Sequence, residues 1–166
     1  MPEITFDLVL PQYLRQWLIN EMGGAVPVSF PKGSAFSSFL RVFLRHKRES
    51  EGWVPSNPEA VAIVIPKFPG RDPQYYNYMP AKAAAALVEL IRDAFDVKLY
   101  RELKAFSNIG RKHSDIIEVW MEQQGIEITD RTYAAVIKRF QLLKARESDR
   151  ERKRLDYHRK KKQHIV

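Results

Sequence analysis

The last 29 residues, 138–166, carry twelve Lys and Arg against four Asp and Glu, a local net charge of +8. The whole chain of 166 residues also nets +8, so everything before residue 138 balances, sixteen cations against sixteen anions. This asymmetry constrains the fold before anything else does. Residues 147–166 offer almost no apolar surface; between 153 and 162 only Leu155 and Tyr157 contribute any. Such a segment buries too little to offset the entropy of ordering it against a core. The core must therefore come from residues 1–146. With 45% hydrophobic and 29% charged residues in the chain, that stretch suits one ordinary globular core.

Charge gathered at one end attracts polyanions without adding repulsion inside the folded part. Nucleic acid is the commonest polyanion, and its phosphates release counterions when cations replace them. An anionic membrane is a poorer match, because Leu155 and Tyr157 are too few anchors for an interfacial helix. The plain alternative is a solvated terminus that binds nothing. The chain has no cysteine, which excludes disulfides, thiolate chemistry and Cys-type zinc sites. The N-terminus starts Met-Pro-Glu-Ile-Thr-Phe-Asp, acidic where a secretory signal is basic. The longest aliphatic runs, 60–65 and 83–88, fall far short of the ~20 residues of a membrane span. The expected protein is soluble and cytoplasmic.

Hydrophobic period divides the chain. Ile4, Phe6, Leu8 and Leu10 alternate with polar or exposed positions, predicting a strand over 3–10. Leu14, Trp17, Leu18 and Met22 follow at helical spacing after Pro11, and Gly23-Gly24 supplies a stop. Residues 25–30 read as a second strand, and 35–47 as a helix capped by Ser34, with Phe36, Phe39, Leu40, Phe43 and Leu44 inward. After a loop over 49–59, residues 61–66 read as a buried strand, and 74–79 as its hairpin return beyond the Pro69–Pro73 turn. From Ala81 to Phe106 the period is helical. A loop over 107–113 separates this helix from one starting at Ser114 and ended by Gly125. A last helix, capped by Thr129 or Asp130, can run on into the tail. The fold class expected is α+β: a small N-terminal sheet with helices on one face (1–80), a C-terminal three-helix region (81–146), and a basic helical or disordered tail (147–166).

Within 81–146 two helices joined by Gly125-Ile126-Glu127-Ile128 form a helix-turn-helix candidate. The start of the second helix would enter a major groove with Arg131, Thr132 and Ala135, Arg131 and Thr132 reaching base edges, and with Lys138 and Arg139 at phosphates one turn beyond Ala135. Arg111 and Lys112, with His113, precede the first helix of the pair and join the candidate binding set. So do the tail cations Arg150, Arg152, Lys153, Arg154, Arg159, Lys160, Lys161 and Lys162. Against the groove reading, any three-helix domain shows this pattern, and Glu127 and Asp130 bring negative charge to the proposed surface.

The run Tyr75-Tyr76-Asn77-Tyr78 invites comparison with enzymes that nick DNA through a tyrosyl ester. That chemistry needs a metal or cationic site, and the His-x-His metal pair is missing; His46, His113, His158 and His164 are isolated in sequence. Packing, or stacking on bases, fits the tyrosines better. Phosphate-loop, dinucleotide, nucleophile-elbow and metalloprotease signatures are all absent from the sequence. The stretches Tyr76-Asn77-Tyr78-Met79-Pro80, Ala86-Leu87-Val88-Glu89-Leu90-Ile91-Arg92 and Ile116-Ile117-Glu118-Val119-Trp120-Met121-Glu122 resemble small uncharacterised proteins of bacterial phages and mobile elements, over residues 76–143. The resemblance implies DNA transactions of such elements and assigns no residue a role.

The expectation is thus a non-enzymatic nucleic-acid-binding protein, with DNA as the partner, no cofactor, no metal and no membrane, and with room for a homo-oligomer. The alternative is an assembly module whose basic tail docks on an acidic protein. A nuclease-like enzyme stands third.

Overall fold

The computed structural model describes residues 3–47, 57–106 and 113–163. β1 (Thr5–Val9) alternates as its sequence does, with Phe6 and Leu8 buried and Thr5, Asp7 and Val9 exposed. It pairs antiparallel with β2 (Ala60–Val64), Thr5 opposite Val64 and Val9 opposite Ala60. Val61 and Ile63 turn to the same core.

The sheet is smaller than the sequence suggests. Among the described residues it has two strands, and neither 25–30 nor 74–79 forms one. In the first segment only Val28 pairs: its N–H donates to the Ala62 carbonyl at 2.8 Å and its carbonyl accepts from Val64 N–H at 2.8 Å. Pro27 and Pro31 bracket it and have no N–H to continue the ladder. In the second segment the turn consumes the donors. Tyr75 and Tyr76 N–H both donate to the Asp72 carbonyl, and Gln74 N–H donates to the Asp72 carboxylate at 2.9 Å.

α1 (Gln12–Glu21) ends where the glycine pair predicted. Gly24 N–H reaches back to the Ile19 carbonyl (2.8 Å) and Gly23 N–H to that of Asn20 (3.2 Å), with Gly23 at φ +100°. α2 (Ala35–Phe43) begins at the predicted cap, the Ser34 hydroxyl accepting from Ser37 N–H at 3.1 Å. It stops four residues before Lys47, because Arg45 instead exchanges backbone hydrogen bonds with Tyr78. Leu40 and Leu44 are buried, Phe36 and Phe39 half-buried, and Phe43 exposed.

α3 (Ala81–Leu103) is the central element and continues as a 3₁₀ turn, Lys104–Phe106. It packs on α1, on α2 and on α5 (Asp130–Gln163); α4 (His113–Gln123) lies against its C-terminal half through Trp120. Its stripe Leu87, Ile91, Phe95, Leu99 and Leu103 is buried. Phe95 is the hub. Tyr13, Trp17 and Trp120 meet its ring edge-to-face at centroid distances of 5.2, 5.4 and 5.7 Å. One continuous hydrophobic core runs from Phe6 to Phe140, so residues from 1–80 and from 81–146 share it. The architecture is α+β, a two-stranded antiparallel sheet followed by a helical region.

Candidate nucleic-acid interface

The start of α5 is built as a cap. Thr129 N–H donates to the Thr132 hydroxyl at 2.9 Å, and Thr132 N–H donates to the Thr129 hydroxyl at 3.2 Å. This is a capping box with Thr in place of the usual Glu. The Thr132 hydroxyl also donates to the Glu127 carbonyl at 2.6 Å, and the residue is 1% exposed. Thr132 therefore does not present itself to a groove, against the sequence expectation. Its type suited a base contact and a cap equally, and the cap prevails.

The turn before α5 is held to the body. α4 ends in the same motif as α1: Ile126 N–H bonds the Met121 carbonyl (2.9 Å) and Gly125 N–H that of Glu122 (3.1 Å). Glu127 N–H donates to the Gln16 side chain at 2.9 Å. A cavity of about 360 Å³ between β1, α1 and α5 is lined by Leu10, Tyr13, Arg15, Arg131 and Thr132. Arg131 and Lys138 are exposed, but the helix turn that carries Arg131 is seated against the protein's own sheet and first helix.

Arg139 is engaged elsewhere. Its guanidinium grips the Asp96 carboxylate with two prongs, Nε to Oδ1 at 3.0 Å and Nη2 to Oδ2. Asp96 is 6% exposed. Those hydrogen bonds hold the Arg139 pKa above its ordinary value. The expected phosphate contact is therefore a structural ion pair joining α3 to α5. No sequence spacing links positions 96 and 139. Arg111 and Lys112 lie outside the described residues.

Beyond Leu143 the helix adds nothing to the hydrophobic core; Arg146, Glu147 and Arg150 still line a cavity of about 440 Å³ against α3, and the helix continues to Gln163 without a break. At 34 residues, α5 is about 51 Å long at ~1.5 Å per residue. Every residue from 151 to 162 is exposed. The tail cations predicted from sequence are thus all brought together, on one exposed helix. Asp149 pairs with Arg152 at 2.6 Å and with Lys153 at 3.1 Å. The Lys153 ammonium, followed by Arg152, holds its carboxyl below the ordinary 3.8. Among the described residues no ion pair engages Arg150, Arg154, Arg159, Lys160, Lys161 or Lys162. Two further groups belong with them, Arg146 and Tyr157. Carrying the helical period of α5 past Leu143 would have found both in the sequence.

The tyrosine run forms a separate surface. A groove of about 880 Å³ is lined by Lys67, Arg71, Asp72, Tyr75 and Tyr76, among others. His46 stacks on Tyr75 with centroids 5.9 Å apart, and Tyr75 is 56% exposed. Arg71 lies over the Tyr76 ring at 5.6 Å while donating to the Arg41 and Leu44 carbonyls. Its guanidinium thereby serves the open end of α2. Among the described residues, no three His, Asp or Glu side chains are placed to hold a metal ion. Among them, too, no helix is long and apolar enough to cross a membrane.

Comparison with known proteins finds no match: no family fits the chain, and no curated protein or solved structure resembles it significantly. The chemistry of the surface itself carries the functional argument.

Proposed function

We propose that the protein is a non-enzymatic nucleic-acid-binding protein that holds its partner, DNA, with the exposed basic end of α5. The supporting observation is that the charge excess of the chain resides on one helix that contributes nothing to the core after Leu143. A helix that is polar all round and unsupported by packing has no structural reason to carry a large net charge of one sign. A polyanion supplies one, through counterion release when its phosphates are neutralised.

The groove-reading role of the α5 N-terminus has less support than the tail. Thr132 is buried and Arg139 is paired, leaving Arg131 and Lys138 as its exposed cations.

Removing residues 147–166 is the direct test. The fold should survive, because the deleted stretch carries none of the buried core. The plot of log affinity against log salt should flatten by roughly 0.9 for each duplex phosphate that the tail no longer neutralises. An unchanged slope removes the tail from the interface. If the intact protein binds no DNA or RNA at any salt, the nucleic-acid reading is wrong.

A further inference from the structure

The cations of the α5 extension are not evenly spread. At ~100° per residue, Arg146, Arg150, Lys153, Arg154, Lys160 and Lys161 fall within about a third of the helix circumference, and Tyr157 falls in their midst. All four acids of the extension, Glu147, Asp149, Glu151 and Asp156, fall outside that arc. The stripe therefore holds six cations, one tyrosine and no anion over about 23 Å of helix, at ~1.5 Å per residue; its first two cations, Arg146 and Arg150, line a cavity of about 440 Å³ beside Asp93 and Asp96 of α3, and the other four lie beyond it, exposed. The acids sit in two rows flanking it, Asp149 and Asp156 on one side and Glu147 and Glu151 on the other.

We propose that this stripe lies along the phosphate backbone of a nucleic-acid duplex and binds it without reading base sequence. The inference rests on the nucleic-acid reading above and specifies how the partner is held. Two features carry it. A duplex presents about one charge per 1.7 Å of axis in a fixed array, and a straight helix with a single-sign row of cations complements a fixed array along its length. A helix sunk into a major groove meets phosphate walls on both flanks as well as bases at the floor. On α5 those flanks are the acidic rows, which repel the walls. Contact is therefore made by one face from outside the groove. The Tyr157 ring, 65% exposed in the middle of the stripe, is placed to hydrogen-bond a phosphate or pack on a sugar.

The test compares two double variants of the full chain, matched in chemistry. Arg154→Gln with Lys161→Gln removes two cations from the stripe; Arg159→Gln with Lys162→Gln removes two from the opposite face. None of the four makes an ion pair among the described residues, and Gln keeps helix propensity close to theirs. Far-UV circular dichroism confirms that the helix remains. Binding is measured on two duplexes of unrelated sequence across a salt series. The stripe variant should flatten the log–log salt slope by about 1.8, from ~0.9 per phosphate, and weaken both duplexes alike. The opposite-face variant should leave the slope within about 0.3 of the parent. Equal weakening by both variants overturns the stripe and leaves the nucleic-acid reading standing, since charge count alone would then govern binding. A strong preference between the two duplexes also overturns it. If neither variant nor removal of 147–166 changes the slope, the stripe and the tail reading fall together.

Discussion

At the scale of single residues, positions that look interchangeable in the sequence carry unequal weight. Gly33 and Gly125 both have positive φ, +80° and +73°. A Cβ at Gly33 meets nothing within 4 Å, whereas at Gly125 it would lie 2.9 Å from the Asn20 Cβ. Gly33→Ala should cost about 1 kcal/mol, the lower end of the range for a side chain in that region. Gly125→Ala should cost about 3 kcal/mol, because α1 must also give way. Urea midpoints at constant m-value separate the two. The Asp96–Arg139 pair makes a second residue-scale case. Arg139→Met strands a buried carboxylate and should destabilise by about 3 kcal/mol, while Asp96→Leu combined with Arg139→Met should recover most of that stability. A thermodynamic cycle from denaturant unfolding checks this. If Arg139→Met proves neutral, the pair does not join α3 to α5 energetically.

At the scale of elements, helices were more legible than strands. The period of Leu87, Ile91, Phe95, Leu99 and Leu103 placed α3 directly, since a long stripe admits one helical phase. Residues 25–30 misled because Val26, Val28 and Phe30 alternate as a strand does, while Pro27 and Pro31 remove the donors that a ladder needs. Residues 74–79 misled because strand-favouring tyrosines follow an Asp72-Pro73 turn that captures their N–H groups. The tail could be read as basic, with a helical and a disordered state both open, since its propensity is ordinary and no packing supports it; α5 runs through it to Gln163. Two measurements follow for α5. Amide hydrogen exchange should show strong protection around Val136 and Phe140, which are 0% and 4% exposed, and weaker protection along the exposed helix beyond residue 151. The extension should also respond to acid. The folded pKa of Asp149 lies below its ordinary 3.8, so its contribution to the helix is complete above that value and disappears as pH falls through the lowered pKa. Helical ellipticity of the extension, taken as full chain minus the 147–166 deletion, should fall as pH drops through the lowered pKa, and Asp149→Asn should make that fall smaller.

At the scale of the whole molecule, Phe95 unites the two halves of the sequence, touching Tyr13 and Trp17 from one and Trp120 from the other. Phe95→Ala should cost about 3–5 kcal/mol. Tryptophan fluorescence and circular dichroism should still report a single coincident transition, because no boundary divides the core. The charge asymmetry that located the candidate surface was legible from composition. Its organisation into one face was also within reach of the helical period. The removal of Thr132 and Arg139 from that surface was not, because it depends on a capping geometry and on a partner 43 positions away.

The continuity of α5 has a mechanical consequence. One end of the helix is a wall of the core, clamped by Val136, Phe140 and the Arg139–Asp96 pair, and the other is a free shaft. With no hinge between them, the helix is a lever whose fulcrum is buried. Whatever grips the shaft also fixes the heading of the globular end, which is held off to one side rather than wrapped around its load. A dye on the globular end should therefore lose rotational freedom when the shaft is engaged.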